Sequence, residues 1–329
     1  MQASQQSKIQ VFRSASAVRA AMPGCVVTIG KYDGVHLGHQ KILDVLKQEA
    51  LRLDLPALVL LSEPQPEEFF SGDLAPPRLA LFEEKVALLE AQAIPAVFCT
   101  RFDASFSRQS PREFVEQFLC SGLGMRSVVV GEDFCFGHKR SGSVATLREL
   151  GAERGFDVVS VAPCLRGQER VSSTLVRHYL QAGNCPKAAQ LLGRPYAVTG
   201  AVVAGRRLGR ELGFPTANLE LGARRLPMTG IFVVEILLDG ETLQGVASLG
   251  YNPTVSDERQ VKLEVHLLDF AGDLYGKTLQ VAFLHKLRDE ARYDSLELLK
   301  RQIAADVATA RRFLQERVGW SAAAGRLPA

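Results

Sequence analysis

The chain has 329 residues, of which 47% are hydrophobic and 23% charged, and its formal net charge is +3. Single cores seldom grow beyond about 250 to 300 residues, so this length predicts two domains. The composition is typical of a soluble globular protein, and no apolar run approaches the roughly 18 residues that span a membrane. The net charge is too small to indicate nucleic-acid binding by itself. The polar segment 1–10 lacks the apolar core of a signal peptide.

Cysteine usage favours a reducing compartment. The six cysteines occur without any C-x-x-C pair, at Cys25, Cys99, Cys120, Cys135, Cys164 and Cys185. Most of them fall in apolar segments, which predicts buried free thiols and a cytoplasmic protein without a structural zinc site.

The first half alternates short apolar runs with helical patterns. The runs predict strands at Val26–Ile29, Ala57–Leu61, Ala96–Cys99, Ser127–Val130 and Asp157–Val161. The intervening patterns predict helices at Gln40–Arg52, Phe82–Ala93, Pro111–Cys120 and Val144–Arg154. Because the strands are continuously apolar, helices are expected on both faces of a doubly wound parallel sheet. Ligands bind such sheets outside the carboxyl ends of the strands.

One glycine-rich stretch, residues 30–40, follows the first of these strands and opens a helix. It contains His36 and His39, which are three apart and project to one side of the first helical turn. Backbone amides at a strand–helix turn approach a phosphate closely, and the helix N-terminus favours negative charge. The stretch therefore predicts a nucleotide-phosphate site, the alternative being a glycine-rich turn with two surface histidines.

Three further stretches lie at the same edge of the predicted sheet: 62–66, 131–140 and 171–177. The second offers glycines, aromatics and basic residues that can line a nucleotide or an aromatic ring, although an ordinary loop fits equally well. The third combines Ser172, Ser173 and Thr174 with Arg177. Hydroxyls, free N–H groups and a guanidinium form a phosphate-binding set, whereas the simpler alternative is a helix cap.

Residues from Tyr196 onward show strands without intervening helices. Strands are predicted at Ala197–Val203, Ile231–Leu238, Leu243–Leu249, Val261–Leu268 and Thr278–Leu284, with a hairpin turn at Asp239-Gly240. This pattern indicates an antiparallel barrel or sandwich. A helix from Ser295 to about Arg317 presents Leu296, Leu299, Ile303 and Val307 for packing on the barrel, and the tail from Ser321 is expected to fray.

The chemistry of the second half centres on residues 205–218. Three glycines and the arginines Arg206, Arg207 and Arg210 occur in one predicted loop that can wrap a polyphosphate. Thr216 and Asn218 offer oxygen atoms to a magnesium ion or a phosphate. A turn-rich basic loop without ligand is the alternative.

Three motifs of the first half carry a family resemblance. In order they are Gly-x-x-Asp-Gly-Val-His-x-Gly-His, Val-Gly-x-Asp-Phe-x-Phe-Gly and Ser-Ser-Thr-x-x-Arg. Together they resemble the adenylyltransferase domain of bacterial bifunctional riboflavin kinase/FAD synthetases. The resemblance implies attack of the FMN phosphate on the α-phosphate of ATP, with release of pyrophosphate. It also implies that the phosphates are bound and stabilised by His36 and His39.

The same resemblance assigns the remaining residues of this half. It implies ATP contacts from Gly30, Asp33, Gly34, Ser173, Thr174 and Arg177. It implies flavin contacts from Asp133, Phe134 and Phe136.

Two positions depart from this family pattern. Lys31 stands where Asn is usual, and Tyr32 for Phe is a mild change. The loop after the second strand reads Pro64-Gln65-Pro66, where Pro-His-Pro is usual. Gln keeps hydrogen-bonding capacity but carries no positive charge, which predicts adenylyl transfer that is slower or altered rather than absent.

The second half resembles the riboflavin kinase domain of the same family. The motifs are Phe214-Pro-Thr-Ala-Asn218, Gly250-x-Asn252-Pro253-Thr254 and Glu264-x-His266-x-x-Asp269-Phe270. The resemblance implies a six-stranded barrel that transfers the γ-phosphate of ATP to the ribityl 5′-hydroxyl of riboflavin. It implies Mg-ATP binding by Thr216 and Asn218, further ATP contacts from Gly205 and Arg210, a catalytic base at Glu264, and flavin contact by Arg288 in a loop.

The sequence therefore predicts an FMN adenylyltransferase domain at 1–186 and a riboflavin kinase domain at 187–329. The expected cofactors and partners are Mg²⁺, ATP and the flavins riboflavin, FMN and FAD, with no nucleic acid or membrane, while the oligomeric state stays open. The alternatives are a riboflavin kinase with an impaired adenylyltransferase half, another His-x-Gly-His nucleotidyltransferase with an attached barrel, and a non-catalytic flavin-binding protein.

Overall fold

A computed structural model describes residues 8–205, 208–252 and 260–317. The chain forms two compact units. The first takes in the described residues up to Pro76 together with Lys85–Val171. The second takes in Pro77–Glu84 together with the described residues from Ser172 onward. Arg206, Arg207, Pro253, Thr254 and the tail from Ser321 lie outside the described residues.

A six-stranded parallel sheet forms the first unit. Its strands are β1 Gln10–Phe12, β2 Cys25–Ile29, β3 Ala57–Glu63, β4 Ala96–Arg101, β5 Met125–Gly131 and β6 Asp157–Val161. They are ordered β1-β4-β3-β2-β5-β6, and every neighbouring pair is parallel. The central strands carry fully buried valines and leucines such as Val27, Leu58 and Val128. A short antiparallel ribbon, β7 Leu165–Arg166 with β8 Glu169–Arg170, follows β6.

Helices connect these strands. They are α1 Ala15–Ala21, α2 Leu37–Leu53, α3 Pro66–Ser71, α4 Phe82–Ala91, α5 Ala104–Ser107, α6 Pro111–Glu113 and α7 Val144–Arg154. α6 begins with a reciprocal cap between Ser110 and Glu113 and continues as a π-helix, Phe114–Gly122. One-turn 3₁₀ segments occupy Gly72–Leu74 and His138–Arg140.

A closed antiparallel barrel forms the second unit. Its strands are β9 Tyr196–Val203, β10 Ala217–Glu220, β11 Gly230–Leu238, β12 Glu241–Asn252, β13 Gln260–Leu267 and β14 Thr278–Arg288, in the order β10-β13-β12-β11-β14-β9. At the β11–β12 hairpin, Asp239 and Gly240 have φ values of 49° and 87°, as expected of a two-residue turn whose twist matches that of the strands.

The remaining helices are α8 Ser173–Gln181, α9 Cys185–Leu192, α10 Leu208–Glu211 and α11 Leu296–Glu316. α11 packs through Val307, Ala310 and Phe313 onto barrel residues that include Val233 and Leu284. Its first turn does not take part, because Leu296 is 57% exposed. The predicted packing face was therefore wrong at this residue.

The predicted fold class, a doubly wound parallel sheet followed by a six-stranded barrel and a terminal helix, is confirmed. The strand pattern missed four short strands: β1 at the sheet edge, β10 in the barrel, and both strands of the β7–β8 ribbon. β10 has four residues and directly follows Pro215-Thr216, so that it reads as the end of a loop. Asn218 consequently lies on a barrel strand rather than in the predicted loop.

Three cysteines are buried (Cys25, Cys99 and Cys185), Cys120 and Cys164 are half-buried, and Cys135 is exposed. Among the described residues, no helix combines the length and the apolar character that crossing a bilayer would require.

Candidate active sites

The turn from β2 into α2 has an unusual backbone. Tyr32, Gly34 and Val35 all have positive φ, at 48°, 79° and 40°. The left-handed region is disfavoured for a β-branched side chain, so the conformation of Val35 must be held by its surroundings. Gln40 Nε2 donates a hydrogen bond of 2.9 Å to the Val35 carbonyl, and Val35 itself is buried. The turn is thus fixed from the first turn of α2.

The two histidines of this turn stack on each other. Their ring centroids are 3.6 Å apart with an interplanar angle of 13°. His36 caps α2, because its Nδ1 accepts a hydrogen bond of 3.2 Å from the backbone N–H of His39. Its Nε2 therefore carries the proton and is a hydrogen-bond donor. A Cβ at position 38 would lie 3.1 Å from two ring atoms of His36. Glycine at this position therefore avoids displacing the His36 ring.

His39 is held in the neutral form. Burial holds its pKa well below the usual value, and the neighbouring His36, Lys85 and Lys31 lower it further. Its Nδ1 is buried and has no hydrogen-bond partner in the described structure. The pair therefore offers hydrogen bonds to a ligand rather than a second positive charge.

Tyr32 supports the histidine pair from the strand side. Its ring lies 4.8 Å from that of His39. Its hydroxyl is 2.7 Å from Thr28 Oγ1, which in turn donates a bond of 2.6 Å to the Val129 carbonyl. Since the Thr28 proton is used on Val129, the Tyr32 hydroxyl donates to Thr28. The Tyr at this position thus ties the turn to two strands.

Both departures from the family pattern adjoin α3. Gln65, 5% exposed, is the N-cap of this helix, and its backbone N–H donates to Glu68 Oε2 at 2.9 Å. Its side-chain Nε2 is buried without a partner among the described residues. Lys31 reaches Glu67 on the first turn of α3, with Nζ 2.5 Å from Oε1.

Lys85 is a candidate site residue that the sequence reasoning missed. It is 0% exposed, and its Nζ lies 3.5 Å from Glu63 Oε1 at the carboxyl end of β3. Its helix also buries Leu88 and Leu89. The signal in the sequence was its position three residues before Leu88, which places the lysine on the same helix face as this buried leucine.

The loop after β5 contains the predicted flavin contacts of the first half. Asp133 is paired with Arg170 at 2.6 Å, and a hydrogen bond from Arg170 holds the pKa of Asp133 below its usual value. Phe134 and Phe136 stack with centroids 5.6 Å apart. Phe136 is buried against Phe114 in the core. The flavin roles of these residues stay predictions.

The hydroxyl-rich stretch belongs to the second compact unit. Ser172 caps α8 by accepting a hydrogen bond of 3.2 Å from Leu175 N, which leaves Ser173 and Thr174 on the first turn. Arg177 Nε donates to the Pro77 carbonyl at 2.7 Å. The predicted cap is therefore present, and nucleotide contact by these residues stays a prediction.

In the barrel, two predicted site residues face each other across a strand pair. Asn218 of β10 is in register with Glu264 of β13. A Cβ on Gly205 would overlap the Asn218 amide, and one on Gly209 would lie 3.2 Å from Thr216 Oγ1. The two glycines thus let the preceding loop close over these oxygen-bearing side chains. Arg210 is exposed on α10.

Glu264 has a charged and polar neighbourhood. Lys262 Nζ lies 2.9 Å from its Oε1, and Ser248 of β12 is its partner on the other side. A second carboxylate, Glu290, packs against Gly250 and accepts a bond of 3.5 Å from Ser248 Oγ. Burial raises the pKa of Glu290, and the charge of Glu264 raises it further.

Arg288 is the last residue of β14, so its predicted loop position was wrong. Its guanidinium forms a bidentate ion pair with Asp306 of α11, with Nη2–Oδ2 at 2.7 Å and Nε–Oδ1 at 3.0 Å. Asp306 is 6% exposed. The arginine therefore joins the terminal helix to the barrel, and its flavin contact stays a prediction.

Within the described residues, no group of three or more His, Cys, Asp or Glu side chains is arranged to hold a metal ion. Hydroxyl and amide oxygens such as those of Thr216 and Asn218 suit a hard cation that keeps most of its ligands from water and phosphate.

The fold and these features are those of an ATP-dependent transferase, with the predicted phosphate contacts divided between a strand–helix turn and a barrel wall. Residues 18–175 match the family model described as FAD synthetase, and residues 192–314 match that of riboflavin kinase. The chain belongs to the family of bifunctional riboflavin kinase/FMN adenylyltransferases.

Relatives cover nearly the whole chain. Bifunctional riboflavin kinase/FMN adenylyltransferases of Pseudomonas fluorescens and Escherichia coli K12 are each 45% identical, over 92% and 90% of this chain and 97% and 94% of their own lengths. A solved structure from Streptococcus pneumoniae, titled a macrolide-efflux protein, shares the fold with a TM-score of 0.82 and 28% identity, and the match covers 96% of this chain and 100% of that chain.

Proposed function

We propose that the barrel half phosphorylates riboflavin with ATP to give FMN, and that the parallel-sheet half adenylylates FMN with ATP to give FAD and pyrophosphate. The observation that supports both activities is that one chain contains the stacked His36–His39 pair and the Asn218–Glu264 register pair. The family comparisons favour this bifunctional enzyme over a riboflavin kinase alone, because the FAD synthetase match spans both Lys31 and Gln65.

Adenylylation needs positioning and hydrogen bonding rather than a covalent nucleophile. In the proposed step an oxygen of the FMN phosphate attacks the α-phosphorus of ATP, and the bond to the bridging oxygen of the β-phosphate breaks. His36 Nε2 and the neutral His39 donate hydrogen bonds to the phosphates as charge moves to the leaving pyrophosphate. Gly30, Asp33 and Gly34 shape the cradle, and Ser173, Thr174 and Arg177 bind the nucleotide.

Phosphorylation needs a base for the ribityl hydroxyl. Glu264 takes the proton of the ribityl 5′-hydroxyl. As it does so, the hydroxyl oxygen bonds to the γ-phosphorus, and the bond between the γ-phosphorus and the ADP oxygen breaks. Thr216 and Asn218 hold the nucleotide and its Mg²⁺, with Gly205 and Arg210 along the phosphates. When bound, the magnesium ion neutralises phosphate charge. Lys262 holds Glu264 in place through its ion pair.

We also propose that the boundary between the two domains lies between residues 186 and 187. The proposed location of the protein is the cytoplasm. The absence of disulfides among the six cysteines of the structure is compatible with a reducing compartment.

The function is tested by incubating the protein with riboflavin, Mg²⁺ and ATP and separating the flavins by chromatography. Formation of FMN followed by FAD is expected. FMN alone would overturn the adenylylation assignment, and tight flavin binding without either product would identify a flavin-binding protein. Omitting Mg²⁺ and adding chelator tests the metal, and undiminished turnover would contradict its role.

A further inference from the structure

Lys85 is a buried charge that the proposed reaction does not yet use. It is 0% exposed on α4, a helix that also buries Leu88 and Leu89. Lysines near a protein surface normally extend their ammonium group into water. Taking the group out of water carries a desolvation penalty. Packing alone does not explain a lysine at this position, since an apolar side chain would fill the same place at lower cost.

The partner of Lys85 stands at the ligand-binding edge of the sheet. Glu63, whose Oε1 is 3.5 Å from Lys85 Nζ, is the last residue of β3. Its side chain is 20% exposed, so the pair runs from the core towards the surface. Two residues later comes Gln65, with its unpartnered Nε2. The ammonium thus lies beneath the turn that carries Gln65.

Lys85 also acts on the histidine pair. Burial is the main cause of the low pKa of His39, and the neighbouring His36, Lys85 and Lys31 lower it further. These groups come from different elements: His36 from the start of α2, Lys31 from the turn before it, and Lys85 from α4. The Tyr32 ring, 4.8 Å from His39, adds no charge while its hydroxyl is protonated. Of the two lysines among them, Lys85 is the one buried in the core.

We propose that Lys85 is a positioning residue for FMN adenylylation, which fixes the Glu63 turn from inside the core and maintains a positive charge behind His39. This inference rests on the proposed function of the first half. Burial and this ammonium together keep His39 uncharged, so that this histidine donates a hydrogen bond whose strength does not vary with pH in the neutral range. The same charge adds an attractive potential for the polyphosphate of ATP without touching it.

The test replaces Lys85 by an uncharged side chain of similar length, Lys85→Met. The turnover number for FAD formation from FMN is expected to fall about 100-fold, because a displaced turn misplaces the reacting groups. The KM for FMN is expected to change far less. In the full-length chain with ¹³C-labelled histidine, the pKa of His39 measured by NMR is expected to rise towards its ordinary value. Riboflavin phosphorylation serves as the internal control and is expected to be unchanged.

A matched control is Lys47→Met, which removes a half-buried lysine of α2 that pairs with Asp44 at 2.9 Å. It is expected to leave FAD formation and the His39 pKa as in the wild type. If Lys85→Met does not fold, the double variant Lys85→Met with Glu63→Gln removes both charges and is measured in the same way.

FAD formation within about twofold of wild type, or a His39 pKa that does not move, would overturn the proposal. A wild-type protein that forms no FAD at all would instead refute the proposed function, so the two failures are distinguishable.

Discussion

Gln65 illustrates how a neutral side chain can serve where the family pattern has a histidine. Its Nε2 is a buried donor without a partner among the described residues. The side chain also takes part in the cap of α3, but the Glu68 N–H keeps its 3.0 Å hydrogen bond to the Gln65 carbonyl in an alanine variant. Gln65→Ala is therefore expected to change the thermal midpoint little. FAD formation is expected to fall about tenfold, as for the loss of one hydrogen bond of about 1.4 kcal/mol to the reacting phosphates. Steady-state kinetics with FMN and ATP measure the loss.

The matched control for that variant is Gln48→Ala, an exposed glutamine on α2, which is expected to be silent in the same assay. Full FAD-forming activity in Gln65→Ala would show that the amide does not contact substrate.

Glu264 carries the most specific chemical prediction in the barrel. Glu264→Ala is expected to lower FMN formation by about 10² to 10⁴-fold, the usual contribution of a general base. Folding is expected to persist, because the residue alternates away from its buried neighbours Leu263 and Val265. Riboflavin phosphorylation and circular dichroism are the two measurements. Glu241→Ala, which removes an exposed carboxylate of β12, is the control and is expected to leave both measurements unchanged. Retained kinase turnover in Glu264→Ala would refute the role.

The raised pKa of Glu290 predicts that the stability of the protein depends on pH. Burial and the charge of Glu264 raise its pKa in the folded state, so the folded protein holds this proton more tightly than the unfolded chain. The stabilisation is complete below the unfolded pKa and is lost as the pH rises through the folded pKa. Glu290→Gln is therefore expected to gain stability over wild type as the pH rises from about 4 to 7. Urea unfolding at both pH values measures it, and a constant difference would contradict the shift.

At the scale of elements, local signals set how well each segment could be predicted. Val144–Arg154 was predicted to the residue, because Ser143 caps its start and Gly155, with φ 73°, ends it in the left-handed region. The segment at 111–122 begins with an equally clear cap, yet nothing in its sequence distinguishes a π-helix from an α-helix. β1 and β10 are too short to show a periodicity, and their pairing with distant strands forms them.

The candidate sites divide in the same way. His36, His39, Thr216 and Asn218 belong to contiguous motifs, which a single sequence displays directly. Lys85 lies beside Glu63 at the end of β3 only through tertiary packing, and the Asn218–Glu264 pairing depends on barrel register. Contacts of this kind are set by tertiary structure, so motif reading did not supply them.

The tie between β14 and α11 makes an element-level prediction. Asp306 is nearly buried. It accepts hydrogen bonds from two guanidinium nitrogens of Arg288 and a 3.0 Å hydrogen bond from Gln302 Nε2. Removing one partner of a buried pair leaves the other charge uncompensated. Asp306→Ala is expected to destabilise the barrel by about 3 kcal/mol, measured as a lower urea midpoint. Arg311→Ala, which breaks the exposed pair with Asp269, is the control and is expected to cost far less. Equal losses in the two variants would contradict the assignment.

For the whole molecule, the placement of residues 77–84 bears on where the kinase half begins. This segment belongs to the same compact unit as the barrel. Within it, Glu84 Oε1 lies 2.8 Å from Arg224 Nη1 and accepts a bond of 2.9 Å from Thr199 N of β9. The Arg224 side chain is 3% exposed. A chain that begins at 187 would keep Arg224 buried and lose its carboxylate partner.

The proposed boundary can be tested on that basis. A fragment comprising 187–329 is expected to phosphorylate riboflavin and to form no FAD, because its predicted kinase residues are all present. It is also expected to unfold more easily than the barrel of the full chain, by about 3 to 5 kcal/mol for the uncompensated guanidinium. Glu84→Gln in the full chain isolates the same loss and serves as the control, with urea unfolding followed by FMN formation. If the fragment matched the full chain in stability, residues 77–84 would be dispensable to the barrel and Arg224 would find its compensation elsewhere.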